Sequence, residues 1–242
     1  MSETAQHLED QLSAEDQRPA EDQRPAEDQP PAEDQTSPQD QTPVGEVEES
    51  EVDEAELEGE TEVKLDPEVA ARRDAALAHV RKFGDPILKT KARNVEVFDE
   101  TLRQEIERMG WLMDDALGVG LAATQVGAVR RLLVYRVQSG DPLGVLVNPN
   151  IEWSSKEEEI SEEGCLSLPS VHVDVERPVY IRVSAQDGYG EPILVEASGF
   201  EARVIQHEID HLDGVLILDR TPREQRKEAM KTLREWQQRS DG

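Results

Sequence analysis

The sequence predicts an α+β fold in which antiparallel sheets wrap around a central helix bearing H-E-x-x-H, with a C-terminal helix and a disordered acidic tail in front. Three observations predict it. Five short β-branched runs follow one another between residues 131 and 197 with turn signals, not helices, between them. Helical periodicity is confined to the segments on either side of those runs, and most of the excess negative charge lies before residue 67. Strands in direct succession pair antiparallel and take helices as packing layers, unlike alternating βαβ units.

The tail comes first. The 242 residues carry 54 Asp/Glu against 26 Lys/Arg, a net charge of −28, but residues 1–66 alone hold 23 acidic and 3 basic side chains and none of the nine aromatics. AEDQ recurs from Ala14, Ala20, Ala26 and Ala32, and no position of the repeat is more apolar than alanine. Such a segment cannot bury enough apolar surface to offset its ordering entropy. We therefore expect disorder over 1–66 and one folded catalytic domain over 67–242, where the net charge is only −8. The N-terminal residues lack the basic and apolar regions of a signal peptide and are too acidic for a transit peptide. No run of about 18 apolar residues exists to span a membrane. The expected location is the cytoplasm, and a single cysteine, Cys165, excludes an internal disulfide.

Order is expected from Asp66-Pro67, a cap followed by proline at the first helical position. Val69, Ala76, Leu77, Val80 and Phe83 form its stripe, and Gly84 a natural stop. Asp99 caps a second helix in which Leu102, Ile106, Met109 and Met113 recur at helical spacing to about Ala116. The segments 131–137, 144–149, 171–176, 179–186 and 192–197 read as strands, with DGYG (187–190) as a turn. Phe200–Leu212 reads as the central helix, and Thr221-Pro222 opens a last one to about Arg239.

Chemistry is written most plainly in QHEIDH (206–211). Four residues is just over one helical turn, so His207 and His211 share a face and can grip one metal ion, with Glu208 beside them as a base. Two protein ligands hold a metal weakly, so a third is expected. Cys165, His172, Asp210 and Asp213 are the candidates; Cys165, in EEGCLSLP, is favoured as the only soft donor, one whose pKa a cation would depress. The third feature is GVGLAATQVG (118–127). Gly118, Gly120 and Ala123 formally satisfy the dinucleotide fingerprint, but a helix precedes them and a strand follows, which is the wrong context. A tight loop that admits a substrate backbone and offers the Gln125 amide to an oxyanion is the better reading.

GVGLAATQVG, EEGCLSLP and QHEIDHLDG together resemble the three signature motifs of the peptide deformylase family, in order, and GDPIL (84–88) resembles its usual opening. The resemblance covers roughly residues 77 to 235. It implies hydrolysis of the formyl group from the N-terminal formyl-methionine of new polypeptides in bacteria or bacterium-derived organelles. It also implies Cys165, His207 and His211 as metal ligands, Glu208 as general base and then acid, and Gln125 with the Leu166 N–H as oxyanion donors. For the methionine pocket it nominates Val119, Glu163, Phe200, Arg203, Val204 and His207, with Gly120 and Leu168 receiving the peptide backbone. Arg203 either packs its stem against methionine or pairs with an acid such as Glu163. The implied cofactor is one divalent ion, Fe2+ foremost, with Zn2+, Ni2+ or Co2+ able to replace it; ligand type alone points to zinc. Expected partners are formyl-Met nascent peptides and, through the basic helix 220–239, the ribosome, with no membrane and no specific DNA among them. A metallopeptidase and a non-catalytic metal scaffold with an acidic binding tail are the rival readings.

Overall fold

The computed structural model describes residues 65–240, within one compact unit. The expected tail over 1–66 lies outside the described residues, apart from Leu65 and Asp66.

Helix α1 spans Pro67–Leu77, with the Asp66 carboxylate accepting the Glu68 N–H and Pro67 at the first helical position. It is shorter than its apolar stripe predicts. Val80 is buried beyond it, and the Arg81 and Phe83 N–H groups donate outside the segment, to the Gln125 and Ser167 carbonyls. Pro86–Lys89 is one 3-10 turn, capped by Asp85. Helix α2, Glu100–Asp115, begins where the Asp99 carboxylate accepts from Leu102, and Leu102, Ile106, Met109 and Met113 are all buried.

Seven strands follow: β1 (Gly120–Ala122), β2 (Leu132–Tyr135), β3 (Gly144–Ser154), β4 (Glu158–Cys165), β5 (Leu168–Pro178), β6 (Tyr180–Gln186) and β7 (Pro192–Ser198). They form a five-stranded sheet in the order β1-β2-β3-β6-β7 and a separate β4–β5 hairpin, with every strand pair antiparallel. Helix α3 (Gly199–Leu212) lies against the sheet, and α4 (Ile217–Arg220) and α5 (Arg223–Ser240) close the chain on the hairpin. Among the described residues no helix is long and apolar enough to cross a membrane.

Two strands escape the hydrophobic pattern. β1 falls in the segment read as a loop; it is three residues long and glycine-led, at the edge of the sheet. β4 carries four glutamates in eight residues and buries only Glu163, so alternation cannot reveal it. The apolar runs behave as expected. In β2, Leu133 packs toward α3 with Ile205, Ile209 and Leu212, while Leu132 and Val134 pack toward α2, so the strand is apolar on both faces. In β5, Val171, Val173 and Val175 alternate inward against Leu216, Leu218 and Leu233. Each such side chain removed from water contributes roughly 1.5–3 kcal/mol. Helix α3 is consequently buried on almost every face, and the H-E-x-x-H segment is held rigidly.

Candidate metal centre and active site

Three segments distant in sequence meet at one place: the β1 loop, the tip of the β4–β5 hairpin and α3. The helix brings the His207 and His211 rings to 5.0 Å between centroids at 66°. The hairpin tip places Cys165 Sγ 3.2 Å from His211 Nε2. One donor atom from each of Cys165, His207 and His211 lies within 4.8 Å of the others.

The surroundings fix which ring atoms face inward. His207 Nδ1 is 2.9 Å from Glu163 Oε2, which leaves Nε2 for the cluster. Glu163 is itself gripped by Arg177 through Nε at 2.6 Å and Nη2 at 2.9 Å, and by Arg203 Nη1 at 2.8 Å. Burial would raise the Glu163 carboxyl, but the hydrogen bonds from Arg177 and His207 outweigh it and hold the group far below the usual carboxylate range. Arg177 also donates to Asp210 at 2.9 Å, and Asp210 binds Arg220 in turn. A buried chain of opposite charges therefore runs from His207 to the outside of the molecule.

The donor set fits a divalent cation. Burial alone would raise the Cys165 thiol, yet the adjoining His211 and His207 rings hold it well below its ordinary value. Burial lowers His207, but Cys165 and Glu163 more than offset it and raise the ring well above the usual imidazole range. Glu208 Oε2 and His211 Nδ1 are buried without a hydrogen-bond partner among the described residues. A soft thiolate, two imidazoles and a nearby carboxylate converging on one point form the donor chemistry of a mononuclear centre.

Glu208 is buried, and that burial raises its carboxyl pKa, with His207 and His211 acting the other way. It packs so closely on β1 that a Cβ at Gly120 would lie 2.5 Å from its Oε1, which is why this position of the loop has no side chain. Gln125 is 1% exposed. Its Oε1 accepts the Ala122 N–H at 2.9 Å, so its amide nitrogen points to Ser167 Oγ at 3.2 Å and toward Cys165 Sγ at 3.8 Å.

These groups open onto one cavity of about 690 Å3. Val119, Gly120, Gln125, Glu163, Cys165, Leu166, Phe200, Arg203, Val204, His207 and Glu208, all nominated from sequence, line it together with Leu168, whereas His211 stands behind. Val119 and Phe200 are exposed at its mouth and Val204 is buried in its wall. Arg203 lines the cavity and pairs with Glu163, its guanidinium also donating to the Val175 carbonyl at 2.9 Å and the Glu159 carbonyl at 2.7 Å. Glu163 is correspondingly more an orienting group for His207 than an apolar wall.

The other candidate ligands lie outside the donor cluster. His172 lines the same cavity but is exposed on β5 opposite Gly164, Asp213 pairs with Arg131 at 2.7 Å, and Asp210 is committed to Arg177 and Arg220. Sequence reasoning missed Arg177, Ser167 and Lys82. For Arg177 a signal existed: it stands at the inward parity of Val171, Val173 and Val175, and a charge at a buried strand position requires a partner. For Ser167 and Lys82 none did.

A helix presenting H-E-x-x-H to a hairpin cysteine, with a buried carboxylate and a fixed amide beside them, is the constellation of a metallohydrolase. The polypeptide deformylase family model matches residues 77–227. The chain is 44% identical over 156 residues to peptide deformylase of Parafrankia sp., covering 64% of this chain and 85% of that one, and 50% identical over 141 residues to that of Thermotoga neapolitana, covering 58% and 85%. Among solved structures it is similar to peptide deformylase from Synechococcus elongatus in complex with actinonin, at 43% identity and a TM-score of 0.61 over 64% of this chain and 84% of that one. The Thermotoga maritima enzyme gives 47% and 0.57 over 59% and 96%. The chain belongs to the polypeptide deformylase family, whose members are metal-dependent hydrolases that remove the N-formyl group from nascent peptides.

Proposed function

We propose that Cys165, His207 and His211 hold one divalent ion, Fe2+ foremost with Zn2+, Ni2+ or Co2+ as substitutes, within a catalytic domain of residues 67–242, and that Glu208, Gln125 and Leu166 carry out deformylation beside it. The observation that carries this reading is the convergence of the three donor atoms with Glu208 and Gln125 at one end of a single cavity. When bound, the cation would supply Lewis acidity, making a water more acidic and polarising the formyl oxygen.

The chain's own groups account for the rest. Glu208, with Oε2 free of partners among the described residues, accepts the proton of the attacking water and delivers it to the leaving amine, so that formate and a free amino terminus depart. Gln125 Nε2 and the Leu166 N–H donate to the former carbonyl oxygen as it gains charge. Val119, Phe200, Val204 and the Arg203 stem surround the methionine side chain. The peptide beyond it extends along Gly120, on the edge strand β1, and Leu168, a mode that reads few side chains.

Protein purified without oxygen is expected to carry close to one iron per chain by elemental analysis and to release formate from formyl-Met-Ala-Ser. Chelation or Cys165→Ala should abolish both. Full turnover by metal-free protein would overturn the reading, and stoichiometric zinc in its place would overturn the choice of iron.

We also propose a cytoplasmic site of action at the ribosome. Arg223, Lys227 and Arg234 are exposed along one stripe of α5, opposite the face where Ala229 and Leu233 are buried. Reversing these three charges to Glu should weaken co-sedimentation with ribosomes and flatten its salt dependence by about three counterions. Unchanged co-sedimentation at low salt would remove the ribosome from the proposal. Formate release from short peptides should remain as it was.

A further inference from the structure

Three consecutive residues between α1 and the Pro86–Lys89 turn lean on the loops that carry Gln125 and Leu166. The Arg81 N–H donates to the Gln125 carbonyl at 2.7 Å and the Phe83 N–H to the Ser167 carbonyl at 2.8 Å. Between them, Lys82 Nζ donates to the Leu166 carbonyl at 3.0 Å. Ser167 Oγ in turn accepts from Gln125 Nε2, which ties the two loops into one circuit. On its far side, Gln237 of α5 donates from Nε2 to the Phe83 carbonyl at 3.2 Å.

This circuit holds what the hairpin ladder does not. Pairing of β4 with β5 is irregular between Gly164 and Cys165 and ends with Cys165 opposite Leu168, so Leu166 and Ser167 form a turn outside the paired register. The orientation of a turn residue is set by what its carbonyl and N–H bind. Two contacts of the strap use main-chain N–H groups that any residue but proline would supply. The third requires the side chain of Lys82, which is half-buried on the cavity wall, donates to the Leu166 carbonyl and lies close enough to Cys165 for the two to attract.

We propose that Lys82 is a positioning residue for deformylation: it fixes the Leu166 turn so that the Leu166 N–H and the Gln125 amide meet the developing oxyanion together. The inference rests on the oxyanion role proposed above for Gln125 and Leu166. Lys82 acts on the transition state and contributes nothing to holding the peptide.

The test uses the full-length, metal-loaded protein with formyl-Met-Ala-Ser as substrate and the deformylated Met-Ala-Ser as a competitive ligand that lacks the reacting oxygen. Lys82→Met is expected to lower kcat about ten- to a hundredfold, while KM and the product Ki change less than about twofold, since a small misplacement of a transition-state donor is felt in kcat. Lys82→Arg, which keeps a cationic donor, is expected to restore kcat to within about threefold of the unsubstituted enzyme. A rise in KM and Ki with kcat unchanged would assign Lys82 to peptide binding and overturn the proposal. Equal impairment by Lys82→Arg, or loss of cooperative melting in Lys82→Met, would overturn it in favour of a purely structural role. Gln125→Ala separates the two levels. If it retains full kcat, the oxyanion reading itself is wrong; if it loses activity while Lys82→Met does not, only the inference about Lys82 falls.

Discussion

Glu208→Gln is expected to leave a folded, metal-loaded protein that turns over formyl-Met-Ala-Ser roughly 10²- to 10⁴-fold more slowly, the range that a positioned acid–base group contributes. That is about 3–5 kcal/mol of activation free energy, at 1.36 kcal/mol per tenfold. The amide has nearly the shape of the carboxyl it replaces, and it fills the same space against Gly120. What it loses is the capacity to take a proton from water and return it to the amine. Because Glu208 stands beside the three donor atoms without being one of them, metal content should stay near one ion per chain. Formate release by a stopped-time assay, with elemental analysis of the same sample, checks both halves. Turnover within tenfold of the unsubstituted enzyme would show that another group handles the proton.

Arg177→Met is the substitution expected to damage the molecule most. The side chain is 2% exposed and bonds both Glu163 and Asp210, so its removal leaves two buried carboxylates short of a countercharge. Breaking such a buried ion pair from one side costs about 3–5 kcal/mol. For a domain of this size that is a fall of about 6–20 °C in melting temperature. The lesion should also be felt at the metal. Glu163 orients His207, and loss of such an outer partner typically weakens metal affinity about 10- to 100-fold. Thermal unfolding with and without added metal measures the two effects separately. A melting temperature within about 2 °C of the original would mean that the buried network contributes little to the fold.

How much of this was legible beforehand differs by kind of residue. That Cys165, His207, His211, Glu208 and Gln125 meet at one place was readable because the chemistry they suggest requires particular side chains at particular spacings, and α3 and α2 because apolar residues repeat at helical intervals. β4 was not readable, since its burial is carried by Glu163, and a paired carboxylate looks like a surface residue in sequence. β1 was hidden by its glycines. The end of α1 was misplaced because Val80 is buried in a turn that continues the helical spacing of apolar residues after the helix has stopped. Arg177 and Lys82 lie 12 and 83 residues from Cys165 in sequence and act only through contacts that the fold creates.

Helix α5 reaches back to the reaction centre. Leu233 is laid against β5 and Gln237 secures the Phe83 carbonyl beside the reaction centre, so the final helical turns are part of what steadies it. Damage to the last turns of that helix is therefore expected to reach the loops that carry Gln125 and Leu166, far from it in sequence, and not only the stability of the domain.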